Sequence, residues 1–241
     1  GVQPWVCLCY GNPIYPGGGG TGLGGGLPST PEAKRAWEAF VDAFVERYGD
    51  QISEWEVWNE PKGGVKGVPA YADLVVRTAE VIRKRQSTAH IMVAAGGSFD
   101  VAFVDKLLGL LKEQGKLHLA DQVVYHPYSY NPDSSYGRVA ELRKVVGSYS
   151  DEITIRQNEN GAPSQGGSFG ALAKHDWTEE YQAKWALRRL MGDLGRDIPS
   201  SYFAICDMVY LVTATGLEAA QRSLGDLRRL TKGMEPELEL P

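Results

Sequence analysis

The sequence is poor in cysteine and histidine, with three of the first and four of the second in 241 residues. No C-x-x-C pair is present, and no His or Cys stands at zinc-ligand spacing, so a zinc-finger or thioredoxin-type reading is excluded. Cys7 and Cys9 lie two apart on one expected strand, poor geometry for a mutual disulfide, and with Cys206 they read as buried thiols rather than metal ligands. No apolar run approaches the ~20 residues of a membrane span. A basic track is also missing: net charge is −5 and the Lys and Arg residues are scattered along expected helices, which argues against a nucleic-acid partner. The chain opens Gly1-Val2-Gln3-Pro4 without an initiator Met, a basic segment or an apolar segment, the start expected of a processed or excised piece.

What is present is an ordinary globular composition, 43% hydrophobic and 23% charged, arranged as a strict alternation. Short β-forming runs at Trp5 to Tyr10, Trp55 to Trp58, His90 to Ala95, Gln122 to Tyr125, Glu152 to Gln157 and Ser201 to Cys206 are each followed by a helical pattern. The helices are expected over Pro31 to Tyr48, Pro69 to Arg85, Phe99 to Gln114, Tyr136 to Tyr149, Thr178 to Leu194 and Leu217 to Thr231. Thr30 and Thr178 stand as N-caps, with Pro31 in the first turn after Thr30. Six β-α units in series imply parallel strands with right-handed crossovers, hence an α/β fold in one domain over residues 1–241. Gly11 to Thr30 is a glycine-rich loop without G-K-[ST] or G-x-G-x-x-G. It reads as a flexible active-site loop or a disordered excursion rather than a phosphate cradle, so no nucleotide cofactor is expected.

The strand exits carry the chemistry. Asn59-Glu60 follows Trp58, His126 and Tyr128 follow the fourth run, and Asn158-Glu159 follows the fifth. Chemistry gathered from the C-terminal ends of many strands is the habit of a (β/α)8 barrel rather than of a doubly wound sheet. Two carboxylates facing one another across such a mouth can cleave a glycosidic bond, one as acid and base, the other as nucleophile. Tyr128 can donate to an ionised carboxylate, and Asn59 can bind a sugar hydroxyl or a carboxylate. Strict alternation would send Asn59 and Glu60 to opposite faces, so both can serve one site only where the strand twists or bulges at its exit.

The set W-N-E-P at Trp58 to Pro61, H-P-Y at His126 to Tyr128 and E-N-G at Glu159 to Gly161 resembles the retaining glycoside hydrolases of clan A, which are (β/α)8 barrels. E-V-W-N-E-P looks most like the β-xylosidase and iduronidase-type family, family 39, with the endoglucanase-like family 5 close behind. The resemblance implies Glu60 as acid/base, Glu159 as nucleophile at about 5–5.5 Å from it, Asn59 on the sugar 2-hydroxyl and Tyr128 on the nucleophile. His126, Trp58 and Phe203 complete the expected substrate contacts, Phe203 in place of a Trp platform. It implies a carbohydrate substrate and neither cofactor nor metal. It also makes Trp5 to Cys9 the third strand, so the barrel is expected to lack its first two units, with open edges available for self-association. The alternative is an inactive or carbohydrate-binding piece of such a barrel.

Overall fold

The computed structural model describes residues 4–167 and 170–204, which group into two compact units. The first comprises residues up to His126 together with Tyr136–Arg156; the second comprises Pro127–Ser135 and the residues from Gln157 onward. The expected helix at Leu217 to Thr231, and Cys206 with the end of the last expected strand, lie outside the described residues.

Five strands form one parallel sheet in sequence order: β1 (Trp5–Leu8), β2 (Glu54–Val57), β3 (His90–Ala94), β4 (Gln122–Tyr125) and β5 (Thr154–Gln157). A helix follows each: α1 (Pro31–Tyr48), α2 (Gly64–Arg85), α3 (Val101–Glu113), α4 (Tyr136–Tyr149) and α5 (Glu179–Leu194). This is an open part of a (β/α)8-type barrel. Residues 201–204 lie outside any strand, although a sixth strand is expected from Ser201. Among the described residues this segment is tied to β5 by a parallel bridge from Gln157 to Ser200.

Side-chain alternation sorts the sheet into two faces. Trp55 points at the helices, where its indole N–H donates to Gln86 Oε1 at 2.8 Å and its ring meets Phe44 edge-on. Glu54 and Glu56 therefore point to the opposite face, together with their register partners Trp5 and Cys7 on β1 and His90 and Met92 on β3. That second face is strongly concave. Arg156 on β5 donates to Glu54 Oε2 at 2.8 Å, and its guanidinium lies 5.8 Å from the centre of the Trp5 ring. In a flat sheet strands three and four places apart would be about 14 and 19 Å away, so the sheet curls as a barrel wall does.

Local chemistry explains the helices. Thr30 Oγ1 accepts from Ala33 N at 3.2 Å and Thr178 Oγ1 from Tyr181 N at 3.3 Å, so both expected N-caps are made. α1 buries Ala33, Trp37, Val41 and Val45, while Phe40 is 42% exposed. α2 starts one and a half turns before Pro69 rather than at it. The proline removes the donor that would meet Val65 O, and Lys106 Nζ approaches that carbonyl at 3.2 Å instead.

The glycine-rich loop is not an open excursion. Gly11 N donates to Gly20 O, Asn12 N to Gly18 O and Ser29 N to Gly17 O, each at 2.9 Å. Backbone packs on backbone: a Cβ on Gly19, whose φ is +80°, would lie 1.8 Å from Gly26 O. Gly11, Gly18, Gly19 and Gly25 are there for close approach of backbone to backbone.

Candidate active site

Each unit holds part of the expected site. In the first, β2 ends at Val57 and the chain turns sharply: Trp58 has φ of 65° and Glu60 φ of 44°, both left-handed. Two such non-glycine residues within three positions are uncommon and cost roughly 1–2 kcal/mol each. They break the alternation that would separate Asn59 from Glu60. The turn is held from behind by Tyr71, fully buried on α2, whose hydroxyl donates to Val57 O at 2.6 Å and accepts from Ala94 N at 2.8 Å.

Glu60 lies between an imidazole and an ammonium group. His126 Nδ1 is 3.1 Å from Oε1 and Lys62 Nζ is 3.1 Å from Oε2, with the Glu60 side chain 15% exposed. Burial pushes its carboxyl pKa upward, but the hydrogen bonds and charges of His126 and Lys62 outweigh that and hold it below the ordinary carboxylate value. A proton on His126 Nδ1 gives a charge-assisted bond to the carboxylate; with the proton on Glu60, the same contact runs the other way. Asn59 Nδ2 donates to Tyr10 Oη at 2.7 Å, which fixes the amide plane.

Trp58 is placed differently from expectation. Its indole is 2% exposed and packs 5.5 Å from Trp37 and 5.8 Å from Tyr10, so it is a packing residue and not a sugar contact.

In the second unit, Tyr128 Oη donates to Glu159 Oε1 at 2.9 Å. The backbone around Glu159 is fixed by its neighbours: Gln157 Oε1 accepts from Ser200 Oγ at 2.9 Å and Ser201 N at 2.7 Å, and Asn160 O accepts from Phe203 N at 2.8 Å. Phe203 is 46% exposed. Asn158 and Asn160 are buried, at 4% and 1%.

Sequence reasoning did not select Tyr10 or Lys62. Tyr10 closes β1's apolar run and reads as a strand end; Lys62 sits one residue beyond the proline, where a lone surface lysine is the default reading.

No family model and no curated protein matches the chain. Solved structures do. A family 39 glycoside hydrolase from Bacteroides cellulosilyticus aligns with TM-score 0.59 and 18% identity over 83% of this chain and 42% of that one. A β-glucuronidase from an uncultured Clostridium gives 0.56 and 16% over 83% and 38%. A β-D-glucuronidase from Dictyoglomus thermophilum gives 0.52 and 19% over 77% and 31%. At this identity the likeness is one of fold, and the chain spans less than half the length of these structures.

Proposed function

We propose that the chain carries the catalytic residues of a glycoside hydrolase acting with retention of configuration, as the resemblance to clan A implies. The observation that carries the reading is the different company of the two strand-end carboxylates. Glu159 receives a hydrogen bond from a phenol, suited to an ionised nucleophile. Glu60 touches an imidazole that can exchange a proton with it, suited to a group that must both give and take one. Glu159 attacks the anomeric carbon while Glu60 protonates the departing oxygen; Glu60 then takes a proton from water as that water displaces Glu159. Asn59, oriented by Tyr10, meets the sugar 2-hydroxyl, and the exposed ring of Phe203 offers an apolar face to the ring.

The substrate is a carbohydrate, and the active domain is a barrel of which residues 1–241 are a part. Release of the aryl alcohol from a panel of aryl glycosides, with xylosides, glucosides, galactosides, arabinosides, mannosides and glucuronides, tests this. Turnover of at least one that vanishes in Glu159→Gly is the expected result. Saturable sugar binding without turnover on any member would instead mean a binding fragment.

A further inference from the structure

We propose that Tyr130, His175 and Tyr181 form an accessory subsite for a neutral sugar ring, so that the substrate is an oligosaccharide or polysaccharide strand rather than a simple glycoside. The ligand class rests on the glycosidase reading. Tyr130 lies on the segment leaving β4, His175 on the long connection leaving β5 and Tyr181 in the first turn of α5, all in the unit that also holds Tyr128 and Glu159. The exits of parallel strands are where ligands bind in α/β barrels. The His175 ring centre is 5.8 Å from that of Tyr130 and 6.4 Å from that of Tyr181. Tyr130 is 52% exposed, Tyr181 is 50% exposed, and His175 is exposed as well. Apolar residues scattered singly over a surface are ordinary, whereas adjoining rings open to solvent make a patch of the kind that marks binding.

The rings are held in place by buried neighbours. Trp177 meets His175 edge-on at 5.0 Å, while its indole N–H donates to Leu172 O at 2.6 Å. Trp185 donates to Ser129 O at 3.0 Å and buried Arg189 to Pro132 O at 2.7 Å, which fixes the chain on either side of Tyr130. A Cβ on Gly166 would lie 2.5 Å from His175 O, so the connection after β5 folds back tightly on the histidine. Groups already ordered lose little freedom when a ligand arrives. The chemistry suits a sugar: a pyranose presents a face of weakly positive C–H bonds to the negative face of an aromatic ring, and its hydroxyls need donors and acceptors at the rim. An open groove of about 790 Å³ adjoins His175 and is also walled by Gly166, Gly167, Lys174, Asp176 and Thr178, a size within the range of small-ligand sites. Lys174 and Asp176 supply one charge of each sign, so the rim offers a donor and an acceptor without net charge and favours a neutral sugar over a uronate.

The test is isothermal titration calorimetry of the Glu159→Gly chain, which leaves the glycan whole, with xylohexaose, cellohexaose and mannohexaose and with the matching disaccharides. At least one hexasaccharide should bind about 10-fold more tightly than its disaccharide. Tyr130→Ala and Tyr181→Ala should each weaken that binding about 3–10-fold, the worth of one ring contact, and Tyr181→Phe should preserve it. With Glu159 intact, both alanine variants should keep the parent kcat/KM on an aryl monoglycoside, which reaches the cleavage site alone. Circular dichroism of each variant guards against unfolding. Binding of no hexasaccharide, binding no tighter than the disaccharide, or binding untouched by both alanine substitutions would overturn the subsite. Ring-dependent hexasaccharide binding without turnover of any aryl glycoside would remove the glycosidase reading and leave the subsite standing.

Discussion

The Tyr128 phenol donates to Glu159 Oε1 across 2.9 Å, from the residue two beyond His126 to the residue two beyond the end of strand five's Gln157. In the proposed mechanism, in which Glu159 is the nucleophile, this donor sits on one of the reacting carboxylate's oxygens. Tyr128→Phe should lower kcat by about 10²–10³-fold, the usual effect of removing one donor from a reacting oxygen, with the thermal midpoint nearly unchanged. Steady-state kinetics beside a melting curve checks both halves.

Azide should distinguish the two carboxylates. Glu159→Gly, given a substrate with a good leaving group, should regain turnover and yield a glycosyl azide of inverted configuration. Glu60→Ala should keep its first step on such substrates, which need little protonation, and yield the azide of retained configuration. Nuclear magnetic resonance of the products reads the outcome; the absence of either azide would remove the proposed roles.

The proposed acid role of Glu60 carries a pH dependence. An acid catalyst must be protonated, so on that proposal kcat/KM falls as pH rises through the Glu60 pKa, which Lys62 helps to hold down. Lys62→Met should therefore shift the alkaline limb to higher pH. Stability runs in the complementary sense. A carboxyl with a depressed folded-state pKa adds stability above its unfolded value and loses it as pH falls through the folded one. The gap in unfolding free energy between the chain and its Glu60→Gln variant should close as solutions are made acidic, a trend that denaturant melts at several pH values would measure.

Tyr71 should matter for both folding and activity. Its buried hydroxyl bridges Val57 O and Ala94 N, so Tyr71→Phe strands a carbonyl and an amide where no water reaches. A loss of about 1–3 kcal/mol is expected, measurable by urea unfolding. Because the bridge abuts the turn carrying Glu60, kcat should fall as well.

The alternation of strands and helices was legible because parallel strands buried on both faces read as short apolar runs, and because Thr30, Pro31 and Thr178 mark helix starts chemically. Glu60, Glu159, His126 and Tyr128 stood out as polar groups at strand exits. Less could be read where backbone conformation decides. Nothing local announces that Trp58 and Glu60 adopt positive φ, so whether Asn59 and Glu60 share a face was open until the turn was seen. Trp58 looked like a sugar contact because its burial depends on Trp37, 21 positions earlier in the chain. Lys62 and Tyr10 matter through partners distant in sequence or masked by ordinary surface statistics.

The left-handed exit at Trp58 and Glu60 sets a tension between durability and chemistry. Glycine would accept these angles without strain, so Glu60→Gly should relax the backbone by roughly 1 kcal/mol, while also giving up the contacts to His126 and Lys62. Where those contacts are screened, at high salt, the variant without its acid should be at least as resistant to unfolding as the parent. Selection for heat resistance alone would then drift toward glycine at position 60, and libraries screened for stability should be screened for turnover in the same round.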